Sequence, residues 1–245
     1  MKLVKKLLIA FIIILVVALF GGFAFWSLST KAPDQRALAA LESRGGILVN
    51  KGAEFLEFSP TQNDSIGFIF YPGGGVDYRA YSPQMRLIAE QGIRVFLVEM
   101  PFNIAFLGAD RAAEIIDGHP EITTWVIGGH SLGGVAAAGF AADHTEVDAL
   151  ILWAAYPADS ALLETDLHVL SIYGTRDGLT TLADIDQSIA LLPAKTVFAA
   201  IEGANHAQFG SYGDQDGDNP AEISPDEQAR QTAGITSRFL LELAK

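Results

Sequence analysis

Apolar positions along the chain fall into two kinds of run. Ile66-Gly67-Phe68-Ile69-Phe70-Tyr71 is continuous and short, the pattern of a strand buried on both faces. Similar runs lie at 95–98, at 123–128, within 147–156, at 170–173 and at 196–201. Between them, residues 82–91, 107–117, 132–143 and 182–192 have the spacing of helices, and a final helix fills roughly 225–243. Ser224 serves as its N-cap and Pro225 takes the first helical position. Upstream, Arg36 to Leu41 suggests a brief helix broken by Gly45-Gly46. Ile47-Leu48-Val49 and Phe55-Leu56-Glu57-Phe58 then read as an antiparallel hairpin. Repeated βα units imply a mostly parallel sheet covered by helices on both faces. The pattern predicts one α/β domain over 45–245, preceded by a linker and short helix over 31–44, with no internal repeat.

The first thirty residues follow a different rule. Lys2, Lys5 and Lys6 precede an uncharged run from Leu7 to Leu28, which as a helix would be about 33 Å long, enough for a bilayer core. Trp26 lies near its far end, and the lysines favour a cytoplasmic N-terminus. The expectation is an N-terminal membrane anchor over 1–30 with the domain outside the cytoplasm. The rival is a signal peptide cut at Gly22-Phe23-Ala24, against which bulky Phe25 and Trp26 argue. Residues 1–30 hold three lysines and no acid, which leaves 13 basic against 29 acidic residues and a net charge of −16 beyond them. That balance, with no basic stripe, disfavours nucleic acid. With no cysteine there is no disulfide framework.

The chain's chemistry centres on Gly129-His130-Ser131-Leu132-Gly133, which fits the G-x-S-x-G nucleophile elbow. It sits between an apolar strand and a helix rich in alanine and glycine. A serine at a tight strand-to-helix turn brings the residues two before and two after into close approach, where glycine has no Cβ to clash. The turn also sets the N–H of Leu132, at the helix start, beneath a reacting carbonyl. In parallel sheets, sites lie at the carboxyl ends of strands. Asp177 in Tyr173-Gly174-Thr175-Arg176-Asp177-Gly178 and His206 in Gly203-Ala204-Asn205-His206-Ala207 lie just past such ends and complete the order Ser…Asp…His. Asp159 is the alternative acid. His119, His144 and His168 fall at the opposite edge, and the side chain of His130 is expected to point away from that of Ser131. Tyr71-Pro72-Gly73-Gly74-Gly75 follows the third strand, where a second oxyanion donor belongs; Gly74 is the choice, with Gly73 or Gly75 as neighbours in contention. No Gly-Lys-Ser/Thr follows, so a phosphate loop is excluded. Asp214-Gln215-Asp216-Gly217-Asp218 lacks the spacing of a calcium loop and reads as a solvated acidic loop. No zinc cluster appears, and neither a metal nor an organic cofactor is expected.

These stretches, together with Val76 to Tyr81, Met100-Pro101-Phe102-Asn103 and Asn205 to Gly210, resemble the α/β-hydrolase superfamily over about residues 45–245. The likeness is to the small bacterial branch called α/β-hydrolase fold-5, similar to the dienelactone-hydrolase group. The resemblance implies an eight-stranded sheet and a Ser-Asp-His triad at Ser131, Asp177 and His206. Pro72 departs from the histidine many esterases carry at that point. Only about eleven residues separate the strand ending near Tyr156 from that beginning near His168, too few for a cap domain. An open site for small or exposed acyl esters follows, with Tyr78, Phe102, Phe106 and Phe209 as a candidate apolar wall. The expected activity is that of a serine carboxylesterase working through an acyl-enzyme. An acyltransferase, or a non-catalytic binding module on the same scaffold, is the alternative.

Overall fold

The computed structural model describes residues 30–61 and 65–243, together with the isolated positions 11 and 22. The expected anchor over 1–30 lies almost wholly outside the described residues, among which no helix is long and apolar enough to cross a membrane.

Eight strands form one sheet: β1 (Ile47–Lys51), β2 (Phe55–Pro60), β3 (Ile66–Tyr71), β4 (Arg94–Val98), β5 (Thr124–His130), β6 (Ala149–Trp153), β7 (His168–Gly174) and β8 (Val197–Ile201), in the spatial order β1-β2-β4-β3-β5-β6-β7-β8. β1 and β2 pair antiparallel, β2 lies antiparallel to β4, and every pairing from β4 to β8 is parallel. From residue 30 on, the α-helices among the described residues are α1 (Gln35–Ala39), α2 (Ser82–Ala89), α3 (Arg111–Gly118), α4 (Leu132–Asp143), α5 (Leu182–Ser188) and α6 (Pro225–Leu243).

All six residues of β3 are buried, as its continuous apolar run requires. Their alternation divides the core. Phe68 and Phe70 face a cluster closed by Met85 and Ile88 of α2 and Ala233 and Leu240 of α6. Ile69 and Tyr71 face a second cluster closed by Ala112 and Ile115 of α3 and by Ala136, Ala137, Ala138 and Phe140 of α4. Each of the Phe, Ile, Leu and Met side chains among them contributes about 1.5–3 kcal/mol on burial. The connection over 154–167 carries only turns and bends, so nothing roofs the carboxyl edge there.

Two sequence expectations are revised. The helix expected over 107–117 starts at Arg111, because 101–103 and 105–107 wind as separate 3-10 turns. The left-handed backbones of Phe102 (φ 54°) and Asn103 (φ 55°) set the first of these turns. Residues 31–34, read as a linker, are stitched into the domain: the Lys31 N–H donates to Gly75 O at 2.8 Å, and the Asp34 N–H donates to Ser211 O at 2.8 Å.

Candidate active site

The nucleophile candidate sits where β5 gives way to α4. Ser131 takes φ 52° and ψ −124°, a backbone conformation that costs of order 1–3 kcal/mol in a non-glycine residue. The surroundings over-determine it. The Ser131 N–H donates to Trp153 O at 3.0 Å, and its carbonyl accepts from the Gly134 and Val135 N–H groups at 2.9 and 3.2 Å. The crossing is close: a Cβ on Gly129 would stand 2.5 Å from the Gly133 carbonyl carbon. Among the described residues the Ser131 hydroxyl makes no hydrogen bond.

Asp177 and His206 are joined directly. His206 Nδ1 donates to Asp177 Oδ2 at 2.9 Å, with both side chains almost wholly buried. The other Asp177 oxygen accepts from the N–H groups of Leu179 and Thr180 at 2.8 and 2.7 Å. The carboxylate is thereby oriented from both sides, and Nε2 of His206 is left as the nitrogen able to take a proton. Asp159, the alternative acid, is exposed and accepts from Ala161 N–H in its own turn. His119, His144 and His168 end α3, end α4 and begin β7, at the far edge.

The three glycines after β3 separate cleanly. The Gly73 N–H donates to Tyr81 Oη at 3.0 Å, and the Gly75 N–H to Asn103 O at 2.8 Å. Among the described residues the Gly74 N–H alone of the three has no partner. Gly74 lies against the start of α4, so close that a Cβ there would meet Leu132 Cδ2 at 2.9 Å. Leu132 is the first residue of α4, where an N–H has no partner within the helix.

Two groups to which the sequence assigned no supporting role hold these loops. His130 is buried with its ring 4.5 Å from that of His206, and its Nδ1 lies 2.8 Å from Tyr81 Oη. Tyr81 Oη accepts from Gly73 N–H, and in the tautomer of neutral His130 that carries its proton on Nε2, the Tyr81 hydroxyl donates to Nδ1. Burial, reinforced by the neighbouring His206, holds His130 well below the usual histidine range. Below pH about 6.5 the unfolded chain therefore binds a proton at this position that the native chain refuses, and stability falls as the pH drops. For this one group the slope steepens as the pH falls through about 6.5 and cannot exceed about 1.4 kcal/mol per pH unit, the value for one whole proton. Urea melts between pH 7 and 5 should show it, and His130→Gln, which keeps an acceptor for Tyr81 without titrating, should flatten it. An unchanged slope in that variant would assign the acid sensitivity elsewhere.

Asp218 belongs to the loop read as merely solvated, and the structure corrects that reading. Its Oδ1 accepts from Gly178 N–H at 3.0 Å and its Oδ2 from Ala207 N–H at 2.8 Å. One carboxylate thus clamps the residue after Asp177 to the residue after His206. Gln228 of α6 holds the same histidine loop: it accepts from Asn205 N–H at 3.1 Å and donates to Asn205 O at 2.7 Å. Among the described residues no group of three or more His, Asp or Glu side chains converges as a metal site would.

The apolar wall is only partly formed. Phe209 is wholly buried, stacked 5.6 Å from His130 and packed near Trp153, so core packing rather than substrate contact accounts for it. Tyr78 is largely buried beside a cleft that Phe102 and Met100 also line, but Lys51, Asp77, Arg79 and Glu99 bring four charged side chains to it. Burial, followed by the charge of Glu99, pushes the Tyr78 phenol up to about 12.

An eight-stranded, mostly parallel sheet with a strained serine between β5 and its helix, and an acid–histidine pair beyond β7 and β8, is the architecture of the α/β hydrolases. The chain belongs to the alpha/beta hydrolase family, whose sequence model matches residues 67–230. No relative of significant similarity was found among curated proteins. Solved structures with a similar fold include the esterase domain of a Rhodothermus marinus protein, at 12% identity and TM-score 0.59, covering 79% of this chain and 97% of that one. The thermophilic esterase Est2 of Thermogutta terrifontis is similar at 16% identity and TM-score 0.58, covering 81% and 94%. TT1662 from Thermus thermophilus is similar at 14% identity and TM-score 0.58, covering 79% and 98%.

Proposed function

We propose that the protein is a serine carboxylesterase, tethered to a membrane by residues 1–30, with Ser131 as nucleophile, His206 as base and Asp177 as the acid that orients it. The observation that carries this reading is the buried Asp177–His206 bond on two loops at the sheet edge where Ser131 is held in a strained turn. The esterase names of two structural neighbours agree with ester chemistry.

In this mechanism His206 Nε2 takes the Ser131 proton as Oγ bonds to the ester carbonyl carbon. Asp177 stabilises the imidazolium. The N–H groups of Gly74 and Leu132 receive the oxyanion, each worth roughly 3–4 kcal/mol in such sites. The C–O bond to the alcohol breaks, and His206 returns the proton to the departing oxygen. Water, deprotonated by the same histidine, releases the acid from the acyl-enzyme. No step calls for a metal or organic cofactor. The lysines before the uncharged run orient the domain outside the cytoplasm.

A fluorophosphonate probe applied to the full chain tests the reading: covalent labelling that maps to Ser131 supports it, and a folded chain that takes no label overturns it. Asp177→Asn should lower ester turnover by roughly 10³- to 10⁴-fold by misplacing the imidazole proton, while Asp159→Asn stays near wild type. The opposite ranking would transfer the acid role to Asp159.

A further inference from the structure

The described chain enters the domain at the edge that holds the candidate site. Lys31 is clasped by the glycine loop, its N–H donating to Gly75 O at 2.8 Å and its carbonyl accepting from Asp77 N–H at 3.0 Å. Its Nζ donates to Asp214 O at 3.0 Å, and three residues on, Asp34 is bonded to Ser211. Gly75 follows β3 and Ser211 follows His206, so this segment lies across the loops that flank Ser131. Only Ser29 and Thr30 separate Lys31 from the uncharged run ending at Leu28. Even fully extended, that connection spans about 10 Å. A bilayer holding the run would therefore lie within reach of the loops at the carboxyl edge of the sheet.

An independent feature agrees. Large apolar side chains are exposed on the connections leaving that edge: Phe106 (54%) and Leu107 (56%) after β4, Tyr156 (37%) after β6, and Leu179 (38%) and Leu182 (47%) after β7. In the order β4-β3-β5-β6-β7 they lie on both sides of Ser131, which ends β5. The 3-10 turn carrying Phe106 and Leu107 packs against α4, the helix that Ser131 caps. Leu38, Leu48, Ile189 and Val197 are exposed singly elsewhere, as is ordinary, whereas five on the connections of one edge are what a contact surface needs.

We infer that this edge rests on a phospholipid bilayer, and that the esters cleaved are acyl esters of amphiphiles held in it with the ester bond at head-group depth. The inference rests on the serine-esterase reading above and adds the substrate class. An uncapped edge brings Ser131 to such an ester without drawing the whole molecule out of the bilayer. Hydrolysis then leaves a carboxylate and an alcohol, with water as the only co-reactant. The net charge of −16 beyond residue 30 selects a zwitterionic over an anionic surface.

The chain contains no cysteine, so single labels can be placed at will. Leu107→Cys, Leu182→Cys and, at the opposite edge, His168→Cys would each carry an environment-sensitive dye on the full chain in phosphatidylcholine vesicles. Spin-labelled phosphatidylcholine should quench the dyes at 107 and 182 at least about twofold more than at 168. Equal quenching at all three, quenching at none, or a chain that does not float with the vesicles overturns the surface. So does a dye at 107 that is shielded from solvent but unquenched, which would seat a second copy of the chain there. For the substrate, Leu107→Asp with Leu182→Asp should slow hydrolysis of a vesicle-borne long-chain ester about tenfold while leaving p-nitrophenyl acetate hydrolysis within about twofold. Equal loss on both esters overturns the substrate class. Absence of both hydrolysis and fluorophosphonate labelling in the unaltered chain sinks the esterase reading and the substrate class with it, whereas quenching judges the surface alone.

Discussion

Ser131→Ala is expected to lower ester turnover by roughly 10⁴- to 10⁶-fold, the scale on which loss of a triad nucleophile acts. Thermal unfolding should be nearly unchanged. The backbone bonds that hold the elbow, to Trp153, Gly134 and Val135, do not use the side chain, and the hydroxyl makes no hydrogen bond among the described residues. Alanine keeps the strain at φ 52°, but glycine would not. Ser131→Gly should therefore be equally inactive and more stable than Ser131→Ala, by about 1 kcal/mol in urea melts. Retained turnover in either variant would remove the elbow assignment. A glycine variant less stable than the alanine one would show that the turn holds no strain.

The largest effect on stability is expected at Gly133. A Cβ there would stand 2.3 Å from Pro72 O and 2.4 Å from Tyr71 O, both backbone atoms of the chain leaving β3. Neither can swing aside as a side chain would. α4 would have to retreat from the sheet, opening the helix–sheet contact that Ala136 and Ala137 fill. Gly133→Ala should cost about 3 kcal/mol or more, or prevent recovery of folded protein. Gly139→Ala, in the same helix, is the control. A Cβ at that exposed position meets nothing within 4 Å. Replacing glycine in a helix interior should there stabilise by roughly 0.5–1 kcal/mol. Equal stabilities for the two variants in urea would mean that α4 does not sit on the loop after β3 as described.

Most of the fold was legible because its signals are local. β3 reads as a buried strand from six consecutive residues, and α6 starts at Pro225 as its cap signals predict. The positions of Ser131, Asp177 and His206 were legible for a related reason, since each follows a strand that periodicity reveals. What escaped depends on partners distant in the chain. Asp218 looked like any acidic loop residue until its two oxygens met Gly178 and Ala207. Phe209 and Phe102 are the same residue type, yet one is wholly buried and the other 59% exposed. Among three adjacent glycines, only the bonds of Gly73 to Tyr81 and Gly75 to Asn103 leave Gly74 distinct. The stitching of Lys31 to Gly75 uses backbone atoms, which any residue type supplies and no pattern reveals.

The clasp between Gln228 and Asn205 has a consequence for how the molecule is made. The loop bearing His206 relies on a side chain from the first turn of α6, for both the N–H and the C=O of Asn205. During synthesis the elbow strand and its helix, complete at Asp143, leave the ribosome about 85 residues before Gln228 does. A nascent chain can thus form the turn at Ser131 long before the loop bearing His206 has its support. The Asp177–His206 pair is completed late, and chains released early, lacking α6, would carry that loop without its clasp.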